Sequence, residues 1–175
     1  TEMGGTLFFS ADDGSNGREL WKSDGTSAGT VLVKDIRPGT IGSSPFDLTE
    51  MGGTLFFSAD DGSNGRELWK SDGTSAGTVL IKDIRPGASG SPTNFPTNFT
   101  EVGGTLFFTA DDGTNGYELW KSDGTSAGTV LVKDIFTGAS GSSLSRLTEV
   151  GGTLFFRADD GSNGRELWKS DGTSA

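Results

Sequence analysis

The sequence predicts an all-β chain of repeated four-stranded antiparallel sheets, and three observations predict it. The first is internal repetition. GGTLFF begins at Gly4, Gly52, Gly103 and Gly151, at spacings of 48, 51 and 48 residues. A fixed period in this range marks stacked repeats. The second is a set of short runs rich in aromatic and β-branched residues, with no apolar stripe at helical spacing. The third is punctuation: Gly, Asn and Asp cluster between the runs and bring turn chemistry with them.

The elements of one unit follow in chain order. Thr6–Asp12 (TLFFSAD) is an aromatic run that reads as a strand. Asn16-Gly17 follows, a strong hairpin dipeptide because both residues accept positive φ. Arg18–Ser23 (RELWKS) is the next strand. Asp24-Gly25 then turns the chain, with Asp placed to accept backbone NH bonds two residues on. Residues 30–36 (TVLVKDI) read as a third strand and residues 37–45 (RPGTIGSSP) as a longer link. Phe46–Met51 (FDLTEM) is a fourth, weaker strand that ends at Gly52-Gly53. Leu7, Phe8 and Phe9 are consecutive, as are Val31, Leu32 and Val33. A strand apolar on both sides belongs to a sheet covered on both faces. Stacked four-stranded blades supply that cover, so the expected architecture is a β-propeller or an arc of one. A β-solenoid with two coils per repeat is the alternative, and four hairpin-like turns per unit speak against it.

The chain reads as one repeat array over residues 1–175, with units at 1–45, 46–93, 94–143 and 144–175. The longer spacing comes from three extra residues within 91–102 (SPTNFPTNFTEV), so length varies in one surface connection. The first unit opens on a truncated first strand and the last stops before its fourth. The terminal blades overlap in their middle strands, so they do not merge into one closing blade. The expectation is a window on a longer array. Head-to-tail association with other copies, into a ring or an open filament, is the alternative.

Composition narrows the chemistry. There is no Cys and no His, which removes disulfides, thiolate metal sites and the commonest general base. Net charge is −10 without a basic patch, which disfavours nucleic acid and anionic membranes. No apolar run has the length of a membrane span.

The motifs then carry a resemblance. Glu19-Leu20-Trp21, Asp24-Gly25-Thr26 and Gly29-Thr30 recur as Glu67-Leu68-Trp69 with Asp72-Gly73-Thr74. They recur again as Glu118-Leu119-Trp120 with Asp123-Gly124-Thr125, and as Glu166-Leu167-Trp168 with Asp171-Gly172-Thr173. This pattern resembles the bacterial ELWxxDGT repeat family over essentially the whole chain. The resemblance implies a propeller-like array in a secreted or cell-surface protein, and little about activity.

Each candidate site has a structural reading beside a functional one. Trp21, Trp69, Trp120 and Trp168 could stack on sugar rings of surface glycans, or fill the space between blades. Phe95 and Phe99 lie in the longer connection and could form a contact surface. Asp12, Asp13, Asn16 and Glu19 offer oxygen ligands for calcium, but Gly14 falls where a calcium loop needs a donor. The other reading is a hairpin held by Asp-to-backbone bonds. Lys34-Asp35, near Glu19 and Lys22, suggests interblade ion pairs. Copies diverge at Ser10, Ser58, Thr109 and Arg157, and at Arg18, Arg66, Tyr117 and Arg165. The expected function is a non-enzymatic structural or adhesive scaffold, extracellular, without an obligatory cofactor. Its partners are other copies or further repeats. A carbohydrate-binding propeller and a self-assembling filament or tube are the alternatives.

Overall fold

A computed structural model describes residues 1–87 and 95–173. It contains strands and turns and no helix. The chain forms two compact units, Thr1–Gly90 and Ser91–Ala175, with two sheets in each. The division expected between 93 and 94 lies outside the described residues.

In the first unit, sheet one has the order β1-β2-β3-β4 and sheet two β5-β6-β7-β8. The strands are β1 (Glu2–Met3), β2 (Thr6–Asp12), β3 (Arg18–Ser23) and β4 (Val31–Lys34), then β5 (Phe46–Met51), β6 (Thr54–Asp60), β7 (Arg66–Ser71) and β8 (Val79–Lys82). In the second unit, sheet three runs β9-β10-β11-β12 and sheet four β13-β14-β15. Their strands are β9 (Thr97–Val102), β10 (Thr105–Asp111), β11 (Tyr117–Ser122) and β12 (Val130–Lys133), then β13 (Ser145–Val150), β14 (Thr153–Asp159) and β15 (Arg165–Ser170). Every pairing is antiparallel between chain neighbours, so each sheet is a meander of the propeller-blade type.

The two inner strands have the expected bounds, and their register is the same in each sheet. Phe9 pairs with Trp21 and Ala11 with Glu19 on one face, while Phe8 pairs with Lys22 and Ser10 with Leu20 on the other. The outer strands depart from the expectation. The register shifts between Leu20 and Trp21, so β4 is only four residues long and Ile36 leaves the ladder. In the opening strand of sheets two to four a bulge puts Asp47, Asn98 and Arg146 at φ near +60°.

The first hairpin also differs from the expected tight turn. Gly14 and Gly17 have positive φ, whereas Asn16 does not. Asp13 does the ordering instead. Its Oδ1 accepts the NH groups of Ser15 and Asn16, and its Oδ2 accepts the Asn16 side chain. Those bonds, from Asn16 first, hold its carboxyl below the usual range.

Each unit has its own core. In the first, Phe8, Leu20, Val33 and Ile36 of sheet one and the link after it pack on Leu55, Phe57, Ala59 and Trp69 of sheet two. In the second, Phe107, Leu119, Val132 and Ile135 pack on Leu154, Phe156 and Ala158 in the same way, with Trp168 half-buried against them. One face of a sheet therefore meets the opposite face of the next. This is why its strands are apolar on both sides.

Candidate functional site

The repeated motif residues build a connector between neighbouring sheets. Glu19 comes first because it is the least expected part. It lies in mid-strand with no exposure. Its carboxylate accepts the backbone NH groups of Ile36, Arg37 and Ser43 and the Ser43 hydroxyl. The irregular link after β4 is thereby folded back onto β3. Glu67 accepts the NH groups of Ile84 and Arg85. Glu118 accepts those of Ile135 and Phe136 and the Ser142 hydroxyl. Burial pushes the Glu67 carboxyl up to about 7, against the pull of those NH bonds and with a further push from Asp83. Burial raises Glu118 as well. Close backbone contact completes the anchor. A Cβ on Gly17 would lie 2.5 Å from the Gly42 nitrogen, and one on Gly42 would lie 2.3 Å from the Arg18 nitrogen. Neither position has room for a side chain.

The DGT turn is the other half. Asp24 Oδ1 accepts both the NH and the hydroxyl of Thr26, and the Thr26 hydroxyl in turn accepts the NH of Gly29. Those bonds, from Thr26, hold the Asp24 carboxyl low. Asp72 and Asp171 make the same bonds to Thr74 and Thr173. The turn puts its glycine carbonyl where the preceding sheet can reach it. Lys22 Nζ donates to the Gly73 carbonyl at 2.8 Å, and Lys121 Nζ to that of Gly172 at 2.8 Å. Lys34 Nζ donates to the Thr78 carbonyl at 2.8 Å. The lysines thus bind carbonyls of the next sheet. The ion pair between the first two sheets comes from Arg37 to Asp60, at 2.6 Å.

The other candidates are distributed as follows. Trp69 and Trp120 are buried at 6% exposure, while Trp21 and Trp168 are half-buried. The Nε1 atoms of Trp21, Trp69 and Trp120 are buried with no hydrogen-bond partner among the described residues. These indoles act as apolar plates, and the two buried ones have no face open for a sugar. Phe99 lies edge-on to Phe108, with centroids 5.8 Å apart. The backbone of Phe95 is held at both its NH and its carbonyl by the Tyr117 hydroxyl. Tyr117 stands where Arg66 reaches Ser43 and Ser44 carbonyls, so the change of residue accompanies the change of link length.

The calcium candidates do not converge. Asp12 accepts the NH of Gly14 and Asp13 is used by its own turn, while Glu19 is turned onto the link at 36–43. Among the described residues no cluster of three or more His, Cys, Asp or Glu could hold a metal. No described helix is long and apolar enough to cross a membrane.

Fold and site together define a repeat chain of propeller-type blades whose repeated residues bind each blade to the next. No family model matches the chain, and no curated protein matches it. Among solved structures it is similar to a chain from a structural and mechanistic study of two prolyl endopeptidases. The TM-score is 0.52 and the identity 15%, over 95% of this chain and 25% of that one. The chain therefore spans about a quarter of that structure's length. At this identity the likeness is one of fold and carries no activity across.

Proposed function

We propose that the chain is a non-enzymatic structural module of a secreted or cell-surface bacterial repeat protein, as its resemblance to the ELWxxDGT family implies. One observation carries this reading: the repeated residues are occupied with building. Glu19 and Glu118 bind link backbone, the tryptophans pack, and the DGT turn presents a carbonyl to the neighbouring lysine. A residue whose polar groups are already satisfied by its own fold has none left for a substrate. Divergent positions on exposed surface remain for partners, the adhesive part of the proposal.

The test sets stability against binding. Trp69→Ala and Glu67→Ala are expected to lower the unfolding midpoint in urea, and the chain is expected to bind no sugar on a glycan array. Micromolar glycan binding, abolished by Trp21→Ala in a chain that still folds, would overturn the reading in favour of a lectin.

A further inference from the structure

The blade-to-blade contact is present in both units with the same residues, so each of its two sides is defined. The giving side is Phe8, Leu20 and Lys22 in sheet one, and Phe107, Leu119 and Lys121 in sheet three. The receiving side is Leu55, Phe57, Ala59, Trp69 and the Gly73 carbonyl in sheet two. In sheet four it is Leu154, Phe156, Ala158, Trp168 and the Gly172 carbonyl. Each side also occurs once without a mate. Sheet four exposes a giving side: Leu167 is 78% exposed, Phe155 is half-buried and Lys169 is exposed. Sheet one exposes a receiving side: Leu7 is 51% exposed, Phe9 and Trp21 are half-buried, and Gly25 is exposed where Gly73 and Gly172 are buried.

Charge selects the same partner. Arg146, Arg157 and Arg165 ring a groove of about 320 Å³ on sheet four, floored by Phe155 and Leu167. Arg157 stands where the other sheets have Ser10, Ser58 and Thr109, and Arg146 where two of them have Asp47 and Asn98. This concentrates positive charge on one face of a chain whose net charge is −10. Sheet one brings exposed Asp12 and Asp13. In sheet two the counterpart of Asp12 is Asp60, which takes Arg37 from the preceding sheet at 2.6 Å. Asp12 has no such arginine among the described residues.

We infer that the giving face of sheet four docks on the receiving face of sheet one of a second copy. Leu167 and Phe155 would pack over Leu7, Phe9 and Trp21, Lys169 would meet the Gly25 carbonyl, and the arginine ring would face Asp12. This rests on the scaffold reading and names its partner. The contact is heterologous, because the two faces differ, so it extends head to tail.

The test is the mass of the 175-residue chain in solution, by sedimentation over a range of concentrations. The mass is expected to rise with concentration from that of one chain through successive multiples. Leu167→Glu and Leu7→Glu, both at exposed sites that leave the fold intact, are each expected to weaken association about 100-fold or more. An equimolar mixture of the two variants retains one sound pair of faces. It is expected to give a two-chain species and nothing larger. Wild-type chain that stays at one chain mass up to about 1 mM overturns the inference, as does a mixture that remains monomeric. The glycan array and the urea midpoints of the motif variants are unaffected by either result, so the scaffold reading stands or falls separately.

Discussion

Strands β3 and β15 have the same six residues, RELWKS, and opposite surroundings. Leu20 has no exposure and Leu167 has 78%. Glu19 is buried under its own link, whereas Glu166 is exposed. Both strands pair with an identical register to the strand before them. Strand formation therefore depends on the hairpin, and burial depends on the neighbouring sheet. A repeat sequence specifies its ladder locally and its core only in company.

The comparison can be broken most strongly at the leucines. Leu20→Ala is expected to cost about 2–5 kcal/mol in urea unfolding, because it empties a closed core. Leu167→Ala in dilute monomeric protein is expected to change the midpoint by less than about 0.5 kcal/mol. Equal effects would mean that the face of sheet four is covered in the monomer.

The second test is pH. The raised Glu67 carboxyl binds its proton more tightly in the fold than in the unfolded chain. Its contribution is therefore fully present below about pH 4.5 and lost as pH rises through about 7. The loss amounts to about 3 kcal/mol at most. Glu67→Gln is expected to flatten the unfolding free energy between those values in a pH series of urea melts. An unchanged slope would remove Glu67 as its source.

The glycine pair gives a smaller difference. Gly73 and Gly25 both have φ near +90°, so alanine strains both, at about 1 kcal/mol. A Cβ on Gly73 would also lie 3.0 Å from Phe8 Cζ, whereas one on Gly25 meets nothing within 4 Å. Thermal melts should show Gly73→Ala as the more harmful by roughly another 1 kcal/mol. The smallest expected effect is at the lysines. Lys22→Met removes one bond to the Gly73 carbonyl and should cost about 1 kcal/mol in the same melts, while Lys169→Met should cost nothing in the monomer.

The inner strands were legible in the sequence because hydrophobic runs and turn residues are local signals. The shortening of β4 was not, because the register shift at Leu20 and Trp21 is set by pairing. Asn16 was misleading: Asp13 orders the hairpin with its carboxylate, and the dipeptide rule considers only the backbone. The αL conformation of Arg146 leaves no sequence signal, since arginine rarely adopts it. Glu19 was the largest omission. Its partners lie 17 to 24 residues away in a link that reads as irregular. The available hint was an acid on the same strand face as Ala11 and Trp21, in every copy. The tryptophans were legible as interblade packing, the simpler of the two readings offered.

The lysine bonds from one sheet to the next join residues 44 to 51 apart in sequence. That separation is fixed by the repeat and would not grow with the number of repeats. Folding speed depends on how far apart in the chain the contacting residues lie, relative to the search that brings them together. A longer array of these units therefore gains stability with each added interface while the conformational search for each one stays the same size. Any adjacent pair can serve as the nucleus, and the rest of the array can grow from it in both directions.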